Sequence, residues 1–261
     1  MSDIPPSALT ETISGKMFLY EKPELLTVEK HGSLGVTPPE RPFRFAESAR
    51  VIPITAVEFG SAQRHYPIVF ASLENPVPLA VLGVLEDTNL FVDDGQWDPA
   101  CYMPSYLRCY PFAFASSEQG NVAVVIDRAA EAITENPRFP FFDNGKPTRE
   151  TESMIRFCSQ YEAERQRTNA FCQKLKELEL LTHQQANFKP DGGSSEQTLA
   201  SFVSIDSKKV TDLDAGTVHE LHRSGQLSAI YMQLYSQENW RVLLARRARR
   251  QAPGADGPAA D

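Results

Sequence analysis

A chain of 261 residues with 41% hydrophobic and 23% charged side chains has the composition of an ordinary globular protein. By the usual surface scaling it buries roughly 73% of its unfolded surface, enough for a core without disulfide or metal staples. A formal net charge of −8 argues against general nucleic-acid binding, which needs clustered Lys and Arg to release phosphate counterions.

Residues 1–40 read as a variable N-terminal tail and loop. The first 15 are polar and hold Pro5 and Pro6, as a mobile tail would, and they lack the basic and apolar regions of a secretory signal. Lys16 to Tyr20 reads as an early strand, and Glu24 to Arg41, with Gly32, Gly35, Pro38 and Pro39, as a loop. Extended structure restarts at Phe43 to Phe45 and at Val51 to Thr55, and it continues from Ala56 to Phe59. A strand-rich region over 41–150 begins here.

Its centre runs from His65 to Phe114. Two apolar runs, Ile68 to Ala71 and Leu79 to Leu85, separated by Glu74-Asn75-Pro76, are expected as buried strands joined by a turn. Asn89 to Val92 then enters the turn Asp93-Asp94-Gly95, whose glycine can take positive φ, and the next strand begins near Gln96. From Trp97 to Phe112 aromatic residues are interleaved with Pro99, Pro104 and Pro111, which predicts a rigid extended arch rather than a helix. Such an arch presents Tyr102, Tyr106, Arg108 and Tyr110, with Arg108 on the same face as Tyr106 and Tyr110, as an anion or sugar-acid site would require. The same residues also suit a plain core with polar tips, Arg108 clamping Asp93 or Asp94 internally.

Beyond the arch, Asn121 to Ile126 is a strand with Asp127 at its end, placed as a helix cap or a ligand-binding carboxylate, followed by a short helix at best. Pro137 to Thr148 carries a DNG turn and reads as a loop folded onto a core. Over 151–181 the periodicity turns helical, with Met154, Cys158, Tyr161, Thr168, Cys172, Leu175 and Leu178 near 3 and 4 spacing. An unbroken rod of that length is on the order of 46 Å, and the polar break at Arg165 and Thr168 suggests a crossing between packing environments. Residues 182–250 read as a small, mostly helical unit: a strand from Thr198 to Ile205, caps at Asp206 and Asp214, a stop at Gly225 and a last helix from Leu227 to about Ala248. Sequence leaves undecided whether this unit stands apart or packs on the strands; 251–261 read as a tail. The fold class is α+β, with an antiparallel strand-rich N-terminal half, a long connecting helix and a mainly helical C-terminal unit.

Chemical signals are sparse. His65, at the mouth of a core strand, has the position of a general base or ligand, or of a strand-end residue bonding a loop. Asp93 and Asp94, near Trp97 and Asp98, could bind a cation or supply acid and base, but they lack the twelve-residue calcium loop and suit an ordinary turn. His219 and His222 share a helical face without a nearby third ligand, so no metal is assigned. Hydrolase, dinucleotide and nucleotide signatures are missing, which weakens the case for an enzyme and leaves the cofactor unknown. Cys101, Cys109, Cys158 and Cys172 form no C-x-x-C pair and read as buried thiols, with Cys101 and Cys109 able to approach across a hairpin. Near the C-terminus Arg241, Arg246, Arg247, Arg249 and Arg250 cluster, either as a solvated helix end or as a contact for anionic lipid or an acidic partner.

HYPIVFA (65–71), NLFVDDGQW (89–97), YMPSYLRCYPF (102–112), VVIDRA (124–129), ERQRTNAF (164–171) and SIDSKKVTDL (204–213) together resemble the SapC family, a bacterial family named after a surface-array protein locus. The resemblance covers about Val51 to Arg247. It implies a role in envelope or surface-layer biology and brings no catalytic residues with it. The first expectation is therefore an accessory or ligand-binding protein with Trp97, Tyr102, Tyr106, Arg108 and Tyr110 as ligand contacts, taking a small molecule or a protein partner of an envelope system. Alternatives are an enzyme acting on a small molecule or glycan through His65, Asp93, Asp94 and Arg108, and a peripheral membrane protein using the C-terminal arginines. No window reaches the roughly 18 apolar residues of a membrane span, so the expected location is cytoplasmic or peripheral to the inner membrane, and association between copies of the chain stays open.

Overall fold

The computed structural model describes residues 17–84, 87–116, 122–188 and 197–251. The tails expected at 1–15 and after Gln251 lie outside these residues.

In chain order the elements are β1 (Pro23–Leu25), α1 (Val28–His31), β2 (Leu34–Val36), a 3-10 turn (Arg44–Ala46), β3 (Val51–Pro53), a second 3-10 turn (Ala56–Glu58) and α2 (Phe59–Ala62). β4 (Ile68–Phe70), β5 (Pro78–Val81), β6 (Val92–Asp93), β7 (Gln96–Trp97), α3 (Ser105–Cys109), β8 (Phe112–Ser116) and β9 (Val122–Asp127) follow. Next come β10 (Ile133–Glu135), β11 (Phe139–Pro140), β12 (Phe142–Asp143), β13 (Lys146–Pro147) and α4 (Arg149–Glu177). The chain continues through β14 (Leu181–Phe188), β15 (Gln197–Ile205), α5 (Ser207–Thr211), α6 (Ala215–Arg223), α7 (Gln226–Ser236), a 3-10 turn (Gln237–Asn239) and α8 (Trp240–Gln251).

The N-terminal expectations need correction. Lys16 to Tyr20 forms no strand among its described residues; Leu19 turns the chain at φ 68°. The supposed loop from Glu24 to Arg41 contains β1, α1 and β2, because the Thr27 side chain caps α1 and β1 pairs with the distant β9. Gly35, read from sequence as a breaker, sits inside β2. A Cβ there would come within 2.2 Å of the Phe139 carbonyl oxygen, so glycine permits β10 and β11 to flank β2 closely. Ala56 to Phe59 is helical rather than extended. Thr55 and Glu58 form a reciprocal capping box that starts the turn. After Asp127 a turn leads into β10 instead of a helix.

The predicted pair of buried strands forms as β4 and β5, antiparallel with Ile68 opposite Ala80. They lie in a five-stranded antiparallel sheet of order β14-β15-β4-β5-β3. The first strand beyond the long helix, β14, is mostly polar and gives little strand periodicity, yet it pairs with β15 along its length. β15 reaches β4 through Val203 and Phe70. Thus 181–188 and 197–205 complete the sheet begun by the N-terminal half, and the helices after Asp206 pack on that sheet. Two three-stranded sheets, β1-β9-β8 and β10-β2-β11, and the hairpins β6-β7 and β12-β13 make up the remaining strands. Asp94 and Gly95 turn the first hairpin at φ 44° and 69°, and Asn144 and Gly145 the second at φ 48° and 74°.

Among the described residues two buried apolar clusters result. The larger joins Ile52, Ile68 and Leu79 of the sheet to Phe171 and Leu175 of α4 and to Ile230 and Leu243 of the C-terminal helices. The smaller gathers Phe112, Ile126, Ile133 and Phe141 around Cys158. The 29 residues of α4, a rod of about 43 Å, therefore serve one core with their first half and the other with their second. Between the halves Thr168 is buried, its hydroxyl accepting from Ala56 N at 2.8 Å and donating to the Glu164 carbonyl at 2.7 Å.

Asp206 and Asp214 cap α5 and α6 as expected, and Gly225, at φ 75°, separates α6 from α7. The final helix is broken into α7 and α8 by the turn at 237–239, whose Asn239 amide donates to the carbonyls of Gln63 and Tyr66. The fully buried Gln233 joins α7 to the sheet: its Nε2 donates to Ile68 O and Ser204 Oγ, and its Oε1 accepts from Ile205 N. Replacing it with leucine removes the acceptor of Ile205 N and the donor to Ser204 Oγ in the core, while Ile68 O keeps its bond from Gln237 Nε2. Gln233→Leu is expected to cost about 2–4 kcal/mol of folding stability, read as a lower midpoint in urea denaturation with an unchanged slope.

Candidate functional site

The segment from Tyr102 to Phe112 is not an extended arch. Prolines restrict themselves and their predecessors only, so Pro104 can lead into a helix while Pro111 holds Tyr110 extended at ψ 135°. The five residues between them coil into α3. Tyr106, Arg108 and Tyr110 consequently do not share the face that strand alternation would give them. Arg108 leaves the tyrosines and lies over the Phe157 ring of α4, 4.6 Å from its centroid.

Each tyrosine hydroxyl is committed inside the fold. Tyr102 donates to Glu58 Oε1 at 2.9 Å, Tyr110 to Asp127 Oδ2 at 3.1 Å, and Tyr106 to the Phe18 carbonyl. Burial, with Glu58 alongside, pushes the Tyr102 phenol up to about 12, and burial raises Tyr106 further. At neutral pH these phenols are fixed donors. The Tyr110 ring also stacks on Phe45 at 3.8 Å.

Glu58, 5% exposed, is the residue sequence reasoning missed. Its Oε1 also accepts from Ser105 N at 2.7 Å, at the start of α3, and its Oε2 accepts from the nitrogen and hydroxyl of Thr55 at 2.8 Å each. The available signal was the T-x-x-E spacing of Thr55 and Glu58. Asp127 is likewise structural: it is 0% exposed and accepts from the nitrogens of Glu21, Lys22 and Ala129.

The remaining candidates do not converge. Trp97 is buried, with its indole nitrogen donating to the Cys101 carbonyl at 3.1 Å. Asp93 and Asp94 belong to the β6-β7 turn, and Asp94 pairs with Arg41 at 2.6 Å rather than with Arg108. A Cβ on Gly95 would lie 2.4 Å from Arg41 Cβ, so glycine lets this arm reach the turn. His65 stands in the field of Arg246. Partial burial, then Arg246 and Arg64, lower its pKa against the opposing pull of Asp98, which leaves the imidazole neutral at pH 7. His219 and His222 are both exposed, and no group of three potential metal ligands occurs among the described residues.

The C-terminal arginines are used internally more than their cluster suggests. Arg246 donates to Asp98 Oδ2 at 2.8 Å and to Cys101 Sγ at 2.9 Å, with its guanidinium 4.3 Å from the Phe91 ring centroid. Arg250 donates to the carbonyls of Asn89 and Val92. Together they fasten α8 to the 89–101 segment, while Arg241 stays exposed beside Glu238. Cys101, pushed up to about 11 chiefly by burial, is occupied there. The neighbour of Cys109 is Cys158 on α4, because α3 turns Cys109 inward instead of setting it across a hairpin from Cys101; the hydrogen bond to Cys158 and burial raise the Cys109 thiol far above its usual range.

A cavity of about 570 Å³ lies where the two cores meet along α4. One wall is the α4 face carrying Cys158, Tyr161, Glu162, Arg165, Asn169 and Cys172 at helical spacing. Opposite stand Ile54, Val77 and Leu79 of the five-stranded sheet and its β4-β5 loop, with Tyr106 and Cys109 of α3 and Phe114 of β8 closing the end. Of the residues expected to contact a ligand, Tyr106 alone lines it. Its α4 wall reads from sequence as a core stripe; the clue to a cavity was that glutamate, arginine and asparagine share that stripe. Arg165 binds Glu162 with Nε and a terminal nitrogen, both at 2.7 Å. Burial pushes the Glu162 carboxyl up, but its bonds from Arg165 and Gln166 outweigh this and hold it below the usual carboxylate range.

The SapC family model matches residues 26–243. No curated protein and no solved structure matches the chain.

Glu58→Gln replaces one acceptor oxygen by a donor facing donors, and it is expected to cost about 2–4 kcal/mol; Tyr102→Phe, which removes one donor, costs about 1–2 kcal/mol. Both are read from chemical denaturation, and equal costs would contradict the geometry. The Arg246 hydrogen bond, opposed by partial burial, lowers the Asp98 pKa. Its stabilisation is present above the unfolded value and lost as pH falls through the lower folded one. The melting-temperature gap between wild type and Asp98→Asn should therefore be widest near neutrality and shrink as pH falls from about 4 toward 2.

Proposed function

The chain belongs to the SapC family, and we propose that it is a non-catalytic accessory protein of envelope or surface-component biology whose α4 cavity binds a small molecule. The observation that carries this reading is the cavity itself. A space of about 570 Å³ lies in the range of small-ligand sites and combines apolar and aromatic walls with a few polar groups. An enzyme built on His65, Asp93, Asp94 and Arg108 is disfavoured, because Asp94 pairs with Arg41 in the β6-β7 turn and Arg108 lies over the Phe157 ring rather than at a common substrate position. Membrane attachment through the C-terminal arginines is weakened by the internal bonds of Arg246 and Arg250.

Native mass spectrometry of the untagged protein, purified gently from its own host, tests the proposal. The expected result is a retained small-molecule adduct whose occupancy falls in Ala113→Phe, a substitution on the cavity wall, while the melting temperature stays within a few degrees. An adduct equally occupied in that variant places the ligand elsewhere. A bare chain mass, with no thermal stabilisation by any compound of a small-molecule library, would sink the cavity reading.

A further inference from the structure

Among the described residues lining the cavity, Glu162 and Arg165 are the charged ones, and they neutralise each other. The guanidinium fork meets both carboxylate oxygens, and Gln166 Nε2 adds a third bond to Glu162 Oε1 at 3.2 Å. Two further ionisable groups on the wall are held uncharged near neutrality: burial lifts Cys172 to about 12 and Tyr161 well above its ordinary value. Deeper in, the surface is apolar and aromatic, with Ile54, Leu79 and Phe114 facing the Tyr106 and Tyr161 rings, whose centroids lie 6.1 Å apart. At the rim, Asn169 and Gln173 stand exposed on α4 near Asn75, offering uncharged amide donors and acceptors.

A charged head group entering this cavity would lose water and meet a wall with no net charge to compensate it. A glycan would bury hydroxyls against apolar side chains without partners. An apolar body with an uncharged polar head suits both ends. We infer that the cavity selects neutral amphipathic molecules, an apolar chain or ring lying between the sheet and Tyr161 and a hydroxyl, amide or ester at the amide rim, and that the Glu162–Arg165 pair enforces the choice by cancelling its own charge. This rests on the cavity being the binding site.

Titration calorimetry with 1-decanol, decanoate and decylammonium, three probes sharing one chain and differing in head charge, tests it. Wild type should bind decanol at least about tenfold more tightly than either ion. Glu162→Gln frees the guanidinium and should raise decanoate affinity about tenfold relative to decanol, with no gain for decylammonium. Arg165→Gln should favour decylammonium instead, and the double variant should regain the neutral preference. Decanoate binding wild type as tightly as decanol, or an unchanged ratio in Glu162→Gln with its circular dichroism intact, overturns the selection. If no probe binds wild type, the selection for neutral amphipathic molecules fails; if Ala113→Phe leaves all binding unchanged, the cavity is not the site and the functional reading fails with it.

Discussion

A single buried carboxylate sets the geometry on which the rest of the molecule depends. Burying an ionised glutamate is unfavourable unless its lone pairs are filled, and Glu58 fills them with four donors from the Thr55 turn and the start of α3. The same 3-10 turn is held to α4 by the bond from Ala56 N to Thr168. The turn that Glu58 closes is therefore bonded both to the start of α3 and to the long helix. Tyr106 and Cys109 reach the cavity wall because Glu58 fixes where α3 begins.

The cavity follows from how α4 is shared. A helix facing a single core needs one continuous apolar stripe, but α4 faces two, and the stretch between them carries Glu162, Arg165 and Asn169 among Cys158, Tyr161 and Cys172. Polar side chains with nothing opposite to bond cannot be packed flush against Leu79 and Phe114. Space remains there, and the ion pair closes on itself. The composition of that stretch thus accounts both for the presence of the cavity and for its lack of net charge.

At the other end of the sheet, α7 and α8 are attached by polar contacts as much as by apolar ones. Gln233 and Ser236 bond the backbone of β4, and Arg246 and Arg250 bond the 89–101 segment. A row of arginines that looks like a surface patch serves in part as a set of fasteners. The planar guanidinium suits this role because one side chain can stack on Phe91 while donating to Asp98 and Cys101.

Sequence by itself determined the features whose causes act over a few residues. Glycine at positive φ made the Asp94-Gly95 and Asn144-Gly145 turns legible, branched runs marked β4 and β5, periodicity marked α4, and aspartates before polar helix starts marked the caps of α5 and α6. It overextended the proline argument at 102–112, where restriction of Tyr110 says nothing about the five residues before it. Only the tertiary structure decided which groups meet. Glu58 finds Tyr102 across 44 positions, Asp98 finds Arg246 across 148, and β15 finds β4 after the whole length of α4. Charge, aromatic surface and strand edges are common currency along the chain, and their partners are chosen by the packing of distant elements, which no local propensity encodes.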